Sequence, residues 1–150
     1  MKKFTPYYIL AVLLTIPLLF SCTLEHVDNG KLDGYWHLEQ VDTLATGGTC
    51  MLDEQRRFMG IQAHLLALSN IDNPDSPKNF ICHFERQGNS LRIYDIYYDN
   101  RDNGDIKVTD ASVLHPFGIH SLDETFNIDK LTHNTLILRS EALALRFRRF

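Results

Sequence analysis

Short stretches of alternating apolar and polar residues recur from residue 33 to the end of this 150-residue chain. Alternation with a period of two is typical of β-strands that bury one face, because successive side chains point to opposite sides of a sheet. The alternation predicts seven strands, at residues 33–43, 55–68, 80–85, 91–94, 126–128, 136–139 and 143–148. We therefore expect a mainly β fold.

Two local signals predict how some of these strands are connected. Gly88-Asn89 lies between two alternating stretches and predicts a β-hairpin. Asp110 is a favourable N-cap residue, and it predicts one short helix that ends before Pro116. Helix content beyond this single element is not expected.

Strands of this length, joined by hairpin spacing, favour an antiparallel meander that closes into a barrel or packs as a sandwich. Closure into a barrel of about seven or eight strands removes exposed sheet edges. Within this scheme residues 55–68 form one long strand that bends at Gly60, with a helix as the alternative, and residues 44–53 form a loop.

The first 21 residues have the layout of a secretory signal, with Lys2 and Lys3 followed by an apolar stretch at residues 7–20. This stretch is shorter than the roughly 20 residues that a transmembrane helix needs, and it contains Pro17. We therefore expect a cleaved signal rather than a membrane-spanning helix.

The end of that segment resembles the lipobox of bacterial lipoproteins, since aliphatic Leu19 lies three residues before Cys22 and small Ser21 lies directly before it. The resemblance implies that Cys22 becomes the first mature residue and carries acyl chains, which attach the protein to the outer membrane. Two or three acyl chains give a stable anchor. Whether the protein faces the periplasm or the cell surface stays open.

These signals divide the chain into a signal peptide at residues 1–21, a lipidated tether at 22–32 and a β-barrel domain at 33–150. Removal of the signal takes away two lysines and no acid, which changes the formal net charge from −4 to −6. An acidic domain lacks the basic surface that nucleic acids require. Cys50 and Cys82 form either a disulfide or two separate thiols.

Gly34-Tyr35-Trp36, at the start of the first predicted strand, resembles the G-x-W motif of lipocalins. In that family the tryptophan plugs the closed end of the barrel, and an arginine of the last strand packs across it. The resemblance therefore assigns a barrel-closing role to Gly34 and Trp36, with Arg146 or Arg148 as the arginine.

A closer resemblance is to the small lipocalin-like lipoproteins of Bacteroidota. It rests on three segments, namely residues 32–36, the stretch from Gly104 to Ile119, and the closing meander from Phe126 to Phe147. The resemblance implies a lipid-anchored lipocalin-like barrel, and it implies no enzymatic activity and no particular ligand.

Four aromatic residues are candidates for binding a small apolar ligand: Trp36, Tyr94, Tyr97 and Tyr98. Apolar walls with a few polar groups are typical of ligand cavities, so we expect the tyrosines to line the open end of the barrel. A core filled by its own side chains is the alternative. In that case the barrel would be an accessory module that docks another envelope protein through its loops or outer surface.

The sequence offers little support for catalysis, a metal site or a cofactor. Residues 99–110 have the spacing of a calcium loop, but Arg101 occupies the place of an oxygen ligand. His115 and His120 are separated by Pro116 and Gly118, and no nucleophile or phosphate-binding motif is present. We therefore expect a non-enzymatic protein without metal or cofactor.

Overall fold

The computed structural model describes residues 28–72, 79–100, 104 and 106–150. Within these ranges the chain forms ten β-strands and two short 3₁₀ helices. The strands are β1 (Gly34–Thr43), β2 (Gly48–Met51), β3 (Arg57–Gln62), β4 (Leu65–Asn70), β5 (Phe80–Gln87), β6 (Ser90–Tyr98), β7 (Ile106–Lys107), β8 (Glu124–Leu131), β9 (Thr135–Arg139) and β10 (Leu143–Arg149). The 3₁₀ helices are Gly30–Leu32 and Ala111–Phe117.

Eight of these strands close into an antiparallel barrel. Neighbours follow the order β1, β3, β4, β5, β6, β8, β9 and β10, and β10 pairs again with β1. The closing pair runs from Trp36 opposite Arg149 to Thr43 opposite Leu143. The short strand β2 pairs with β1, and the short strand β7 pairs with β6. The prediction of an antiparallel barrel of seven or eight strands with one short helix is confirmed.

The strand directions define two ends of the barrel. Trp36 and Arg149 lie at one end, which we call the closed end. Thr43 lies at the other, where β6 leaves the barrel at Tyr98, opposite Phe80. The connection from β6 to β8 carries the 3₁₀ helix Ala111–Phe117, and we call this the covered end.

The apolar side chains that alternate along the strands fill the inside of the barrel. The largest fully buried side chains belong to Trp36, Phe80, Phe126, Leu32, Leu38, Met59, Leu66, Leu68, Leu91, Ile93, Ile96 and Leu114. The interior is thus a continuous hydrophobic core.

One predicted strand was wrong. Residues 55–68 form two strands, β3 and β4, which pair across a tight turn at Ala63 and His64 rather than bending at Gly60. Ala63 adopts a φ of 54°, a left-handed conformation that is uncommon for alanine. Because the turn carries no glycine, proline or asparagine, the sequence held no strong signal for it. The predicted loop at 44–53 also contains β2.

Several local predictions are confirmed. The hairpin of β5 and β6 turns at Gly88-Asn89. The Asp110 side chain accepts a hydrogen bond of 2.9 Å from the backbone N–H of Ser112 and so caps the short helix. That helix is 3₁₀ in type, and the prediction that it ends before Pro116 is wrong, because it continues through Pro116 to Phe117.

The folded domain begins before residue 33. Leu32 is completely buried in the core, so the end of the predicted tether belongs to the barrel domain, and that boundary is corrected. Cys22, the predicted signal and Arg101 lie outside the described residues. Cys50 is exposed and Cys82 is buried, and both are free thiols. None of the described helices has the length and apolar character needed to cross a bilayer.

Candidate functional site

Trp36 and Arg149 seal the closed end of the barrel. The Trp36 ring is completely buried, and its indole N–H donates to the Leu32 carbonyl at 2.9 Å. The guanidinium carbon of Arg149 lies 4.3 Å from the centre of that ring. Arg149 also donates to the carbonyls of Lys31 at 2.6 Å and Asp33 at 2.8 Å. These contacts tie the last strand to the segment that precedes the first.

The arginine expected at this place was misassigned. Arg146 and Arg148 lie on the outer face of β10, where Arg146 pairs with Asp42 at 2.9 Å and Arg148 pairs with Glu39. Arg149 continues the inward alternation of Leu145 and Phe147, so the same pattern that predicted the strand could have identified it.

Gly34 supports the closed end in the predicted way. Its φ is +139°, which side-chain-bearing residues rarely adopt. A Cβ at this position would collide with the Arg149 guanidinium. Glycine therefore leaves the space that lets Arg149 reach the Trp36 ring.

The inside of the barrel holds a cavity of only about 10 Å³. This is roughly the room that one water molecule needs. Its walls are apolar and include Leu38, Met59, Leu68, Ile93, Phe117, Ile119, Phe126, Leu138, Leu145 and Phe147. Among the described residues the barrel is filled by its own side chains, which agrees with the alternative of a filled core rather than with a ligand cavity.

None of the four aromatic residues predicted to bind a ligand lines this cavity. Trp36 lies at the closed end. Tyr94 packs beside the Arg92 guanidinium at 4.7 Å, and Tyr97 lies near Lys107 on the outer surface. Of the three tyrosines, only Tyr98 packs against the core, with its ring 5.4 Å from that of Phe80. The structure does not bring the four together.

An irregularity in β6 explains this outcome. Asp95 has a φ of 47°, which interrupts the alternation between Ile93 and Ile96. As a result Ile93 and Ile96 are both buried, Tyr97 is displaced from the interior, and Tyr98 packs against the core instead. Tyr94 directly follows Ile93 and faces outward by regular alternation. A bulge of this kind leaves no clear signal in a single sequence.

The 3₁₀ helix Ala111–Phe117 closes the covered end with two apolar side chains. Leu114 is completely buried and Phe117 nearly so, with the Phe117 ring edge-on to Phe80 at 6.0 Å. The helix ends at Gly118, whose φ is +74° and which packs against Leu145. Phe117 therefore packs over the core at the covered end of the barrel.

Arg57 lies beneath this helix at the start of β3. It shares the inward parity of Met59 and Ile61, which are buried. Its Nη1 donates to the Pro116 carbonyl at 2.8 Å, and its Nε is buried without a hydrogen-bond partner among the described residues. Arg57 was not predicted as a site residue, although a charged residue on the inward face of a predicted strand indicates a paired or functional group.

The outer face of β1 and β3 carries an aromatic cluster. Phe58 is buried on the outside of the barrel between Tyr35, at 4.8 Å between ring centres, and Phe150, at 5.1 Å. Phe150 is 74% exposed. His37 also contacts Phe58, and its Nε2 lies 2.6 Å from the Gln55 carbonyl.

A second, larger depression lies on the outer surface and has a volume of about 330 Å³. Six of its seven lining residues have polar or charged side chains, among them Thr125, Asn127, Arg139 and Glu141. Arg139 is already paired with Asp129. This open, polar depression does not match the apolar ligand that the sequence predicted.

Two described groups with strongly displaced pKa values, Asp42 and Cys82, lie in different parts of the barrel. Hydrogen bonding to Arg146, with smaller contributions from Gln40 and Thr49, lowers the pKa of Asp42 to about 2. Burial raises the pKa of the Cys82 thiol to about 12. Asp42 lies on the outer face and Cys82 in the core, so these two groups serve the fold rather than a shared site.

Metal-binding side chains do not cluster in the part of the chain that the structure describes. No group of three or more His, Cys, Asp or Glu side chains there could hold a metal ion. The rings of His115 and His120 do approach each other, with their centres 4.6 Å apart, despite the intervening Pro116 and Gly118.

Comparison with known proteins agrees with the fold. The profile of the lipocalin-like domain matches residues 17–150, and the chain belongs to that family. Among solved structures, the chain is similar to a lipocalin-like protein from Bacteroides uniformis, with 22% identity and a TM-score of 0.63. That match covers 81% of this chain and 100% of the other.

A second similar structure is an uncharacterized protein from Bacteroides eggerthii. It is 20% identical, with a TM-score of 0.59, and the match covers 79% of this chain and 98% of the other. No protein with a curated description matches the chain. A lipocalin-like barrel is a fold that can hold a small ligand.

Proposed function

We propose that this protein is an envelope lipoprotein, anchored by acyl chains on Cys22, whose lipocalin-like barrel takes up a small apolar ligand through the covered end. The signal-like residues 1–21 and the lipobox-like residues before Cys22 support the anchor. Membership of the lipocalin-like domain family and the wholly apolar interior support the ligand.

The observation that carries the proposal is the difference between the two ends of the barrel. At the closed end, Arg149 donates to three backbone carbonyls and packs on Trp36. At the covered end, a 3₁₀ helix of seven residues lies over the core. Short 3₁₀ segments have poorer hydrogen-bond geometry than α-helices, so this end opens at lower cost.

Because the interior is filled, the ligand has to replace protein side chains. Withdrawal of Leu114 and Phe117 from the core costs about 3–6 kcal/mol, at about 1.5–3 kcal/mol for each buried apolar side chain. Each methylene of a ligand returns about 0.8 kcal/mol on burial. An unbranched chain of roughly eight or more methylene groups is therefore needed to offset the displacement.

Native mass spectrometry of the lipidated protein, purified from its own envelope, tests the ligand. We expect a retained small apolar molecule. Hydrogen exchange with added decanol gives the second readout, in which amides of residues 111–119 lose protection while those of β1 and β10 gain it. A ligand-free spectrum together with unchanged exchange at saturating decanol would contradict the proposal.

A Cys22→Ser variant of the full chain tests the anchor separately. The wild-type protein is expected in the membrane fraction, with an N-terminal peptide whose mass includes acyl chains. The variant is expected in the soluble fraction, since one modified residue supplies the attachment. Membrane association that survives the substitution would refute this part of the proposal.

A docking function is the second candidate, and the outer aromatic cluster favours it. Tyr35, Phe58 and Phe150 are joined on the outer face, and Leu65 on nearby β4 is 46% exposed. A photo-crosslinking residue at position 65 would then yield one defined envelope-protein adduct in cells. The same residue at position 146, on the charged outer face, would not.

A further inference from the structure

We propose that Arg57 is the head-group site of this barrel and that its ligand is an anionic amphiphile, a single carboxylate joined to an unbranched apolar chain. This inference rests on the proposed function, in which an apolar ligand enters at the covered end. It adds the chemical class of the ligand and the residue that recognises it.

The position of Arg57 places a cation directly above the apolar interior. Arg57 begins β3 at the covered end, opposite Asn70, and Met59 and Ile61 follow it on the same inward face. Met59 lines the interior cavity. A molecule with its charged group at Arg57 would therefore have its apolar part inside the barrel.

The charge of Arg57 is not neutralised by a described carboxylate, and in this it resembles Arg86 and Arg149, whose guanidinium groups instead donate to backbone carbonyls. Five arginines form ion pairs with described carboxylates, namely Arg56 with Asp72, Arg92 with Asp123, Arg139 with Asp129, Arg146 with Asp42 and Arg148 with Glu39. Among the described residues Arg57 has no such partner. The charge of Arg57 contributes to the lowered pKa of Asp72, but the hydrogen bonds to that carboxylate come from Arg56.

The hydrogen bonds of Arg57 are also incomplete. A guanidinium carries five N–H donors in a fixed plane. Nη1 donates to the Pro116 carbonyl at 2.8 Å, while the buried Nε has no acceptor in the described part of the chain. A buried donor without an acceptor is unfavourable, so this atom favours any ligand that brings an oxygen to it.

A carboxylate meets both requirements at once. Its two oxygens match the fork of a guanidinium and accept two parallel hydrogen bonds. The two donors on one edge of the guanidinium are Nε and Nη2, so the carboxylate would bind there while Nη1 keeps its bond to the Pro116 carbonyl. Recognition of the head group would thus leave the link between Arg57 and the covering helix in place.

The test compares amphiphiles of equal chain length by isothermal titration calorimetry with the full mature protein. Dodecanoate is expected to bind at least tenfold more tightly than dodecanol. In Arg57→Met this preference is expected to fall to about one. Arg57→Lys keeps the charge but not the fork, so an intermediate preference is expected.

Arg56→Met is the matched control, because Arg56 is the adjacent cation but is exposed and paired with Asp72. It is expected to keep the full preference for dodecanoate. The ratio of two affinities within one variant remains meaningful even when a substitution alters stability. If Arg57→Met unfolds, the Arg57→Lys ratio decides.

The outcomes separate the two proposals. Equal binding of dodecanoate and dodecanol by the wild-type protein, or a preference that survives Arg57→Met, overturns the role of Arg57 and leaves the apolar ligand intact. Failure of both amphiphiles to bind overturns this inference and the proposed ligand function together.

Discussion

The guanidinium carbon of Arg149 lies 4.3 Å from the centre of the Trp36 ring, and this contact joins the last strand to the first at the closed end of the barrel. The same side chain donates to the carbonyls of Lys31, Asp33 and His133. One residue near the C-terminus thus orders the segment that enters the barrel, so the closed end depends on a contact between distant parts of the chain.

Substitution of Arg149 should destabilise the fold more than substitution of its neighbour. Arg149→Met removes the stacking on Trp36 and the bonds to three carbonyls, and we expect a loss of about 2–4 kcal/mol in the free energy of unfolding. Arg148→Met removes an exposed ion pair with Glu39 and should cost less than about 1 kcal/mol. Urea denaturation followed by Trp36 fluorescence measures both, and equal losses would contradict the assignment.

Gly118 is expected to tolerate no side chain. Its φ is +74°, and a Cβ there would collide with Leu145. Gly118→Ala should therefore lower the free energy of unfolding by about 2–4 kcal/mol, from backbone strain and overpacking together. Gly88→Ala is the control, because Gly88 has a φ of +60° but open space around it, and it should cost about 1–2 kcal/mol. Thermal denaturation of the two variants compares these effects, and a Gly118→Ala variant as stable as Gly88→Ala would argue against close packing of the covering segment.

Asp42 should contribute stability that depends on pH. Its pKa in the folded protein is lowered to about 2, chiefly by its hydrogen bond to Arg146, from a usual value of 3.8. Because the folded pKa is depressed, the contribution is fully present above about pH 4 and is lost as the pH falls towards 2. Asp42→Asn should cost about 1 kcal/mol or less at pH 7 and less at pH 3.

The Arg146→Met variant checks this assignment. In that background Asp42→Asn should have a smaller effect at pH 7, since the main partner of the carboxylate is absent. Urea denaturation at both pH values measures the difference. A pH-independent cost of Asp42→Asn would show that the ion pair does not stabilise the fold.

The two domain cysteines should differ strongly in reactivity. Cys50 is exposed, whereas Cys82 is buried with its pKa raised to about 12, so almost none of it is thiolate at pH 8. Iodoacetamide should label Cys50 within minutes and Cys82 only after denaturation, as read by peptide mass spectrometry. Resistance of both residues to labelling until a reductant is added would instead demonstrate a disulfide.

Local signals predicted much of the barrel. The alternation around Trp36 identified β1, and Gly88-Asn89 identified the hairpin of β5 and β6, because both features depend on neighbouring residues. The turn at Ala63-His64 was missed since neither residue is typical of a turn. Strand alternation predicts which side chains face the core only where the strand is regular.

The candidate site was harder to predict for the same reason. The irregularity at Asp95 turned Tyr97 away from the interior, and it left no signal in the sequence. The surroundings of Arg57 depend on the pairing of β3 with β4 and on the position of Pro116, which is nearly sixty residues later in the chain. Contacts across the barrel of this kind are set by the closed fold and not by local pattern.

The most direct test of the uptake of an apolar ligand by the barrel is an isotope-filtered NOE experiment on the labelled protein with unlabelled decanol. We expect contacts from the ligand methylene groups to the side chains of Leu38, Ile93 and Leu138, which line the interior cavity. Contacts confined to Leu65 and Tyr35 on the outer face, or no contacts at all, would contradict uptake of an apolar chain by the barrel.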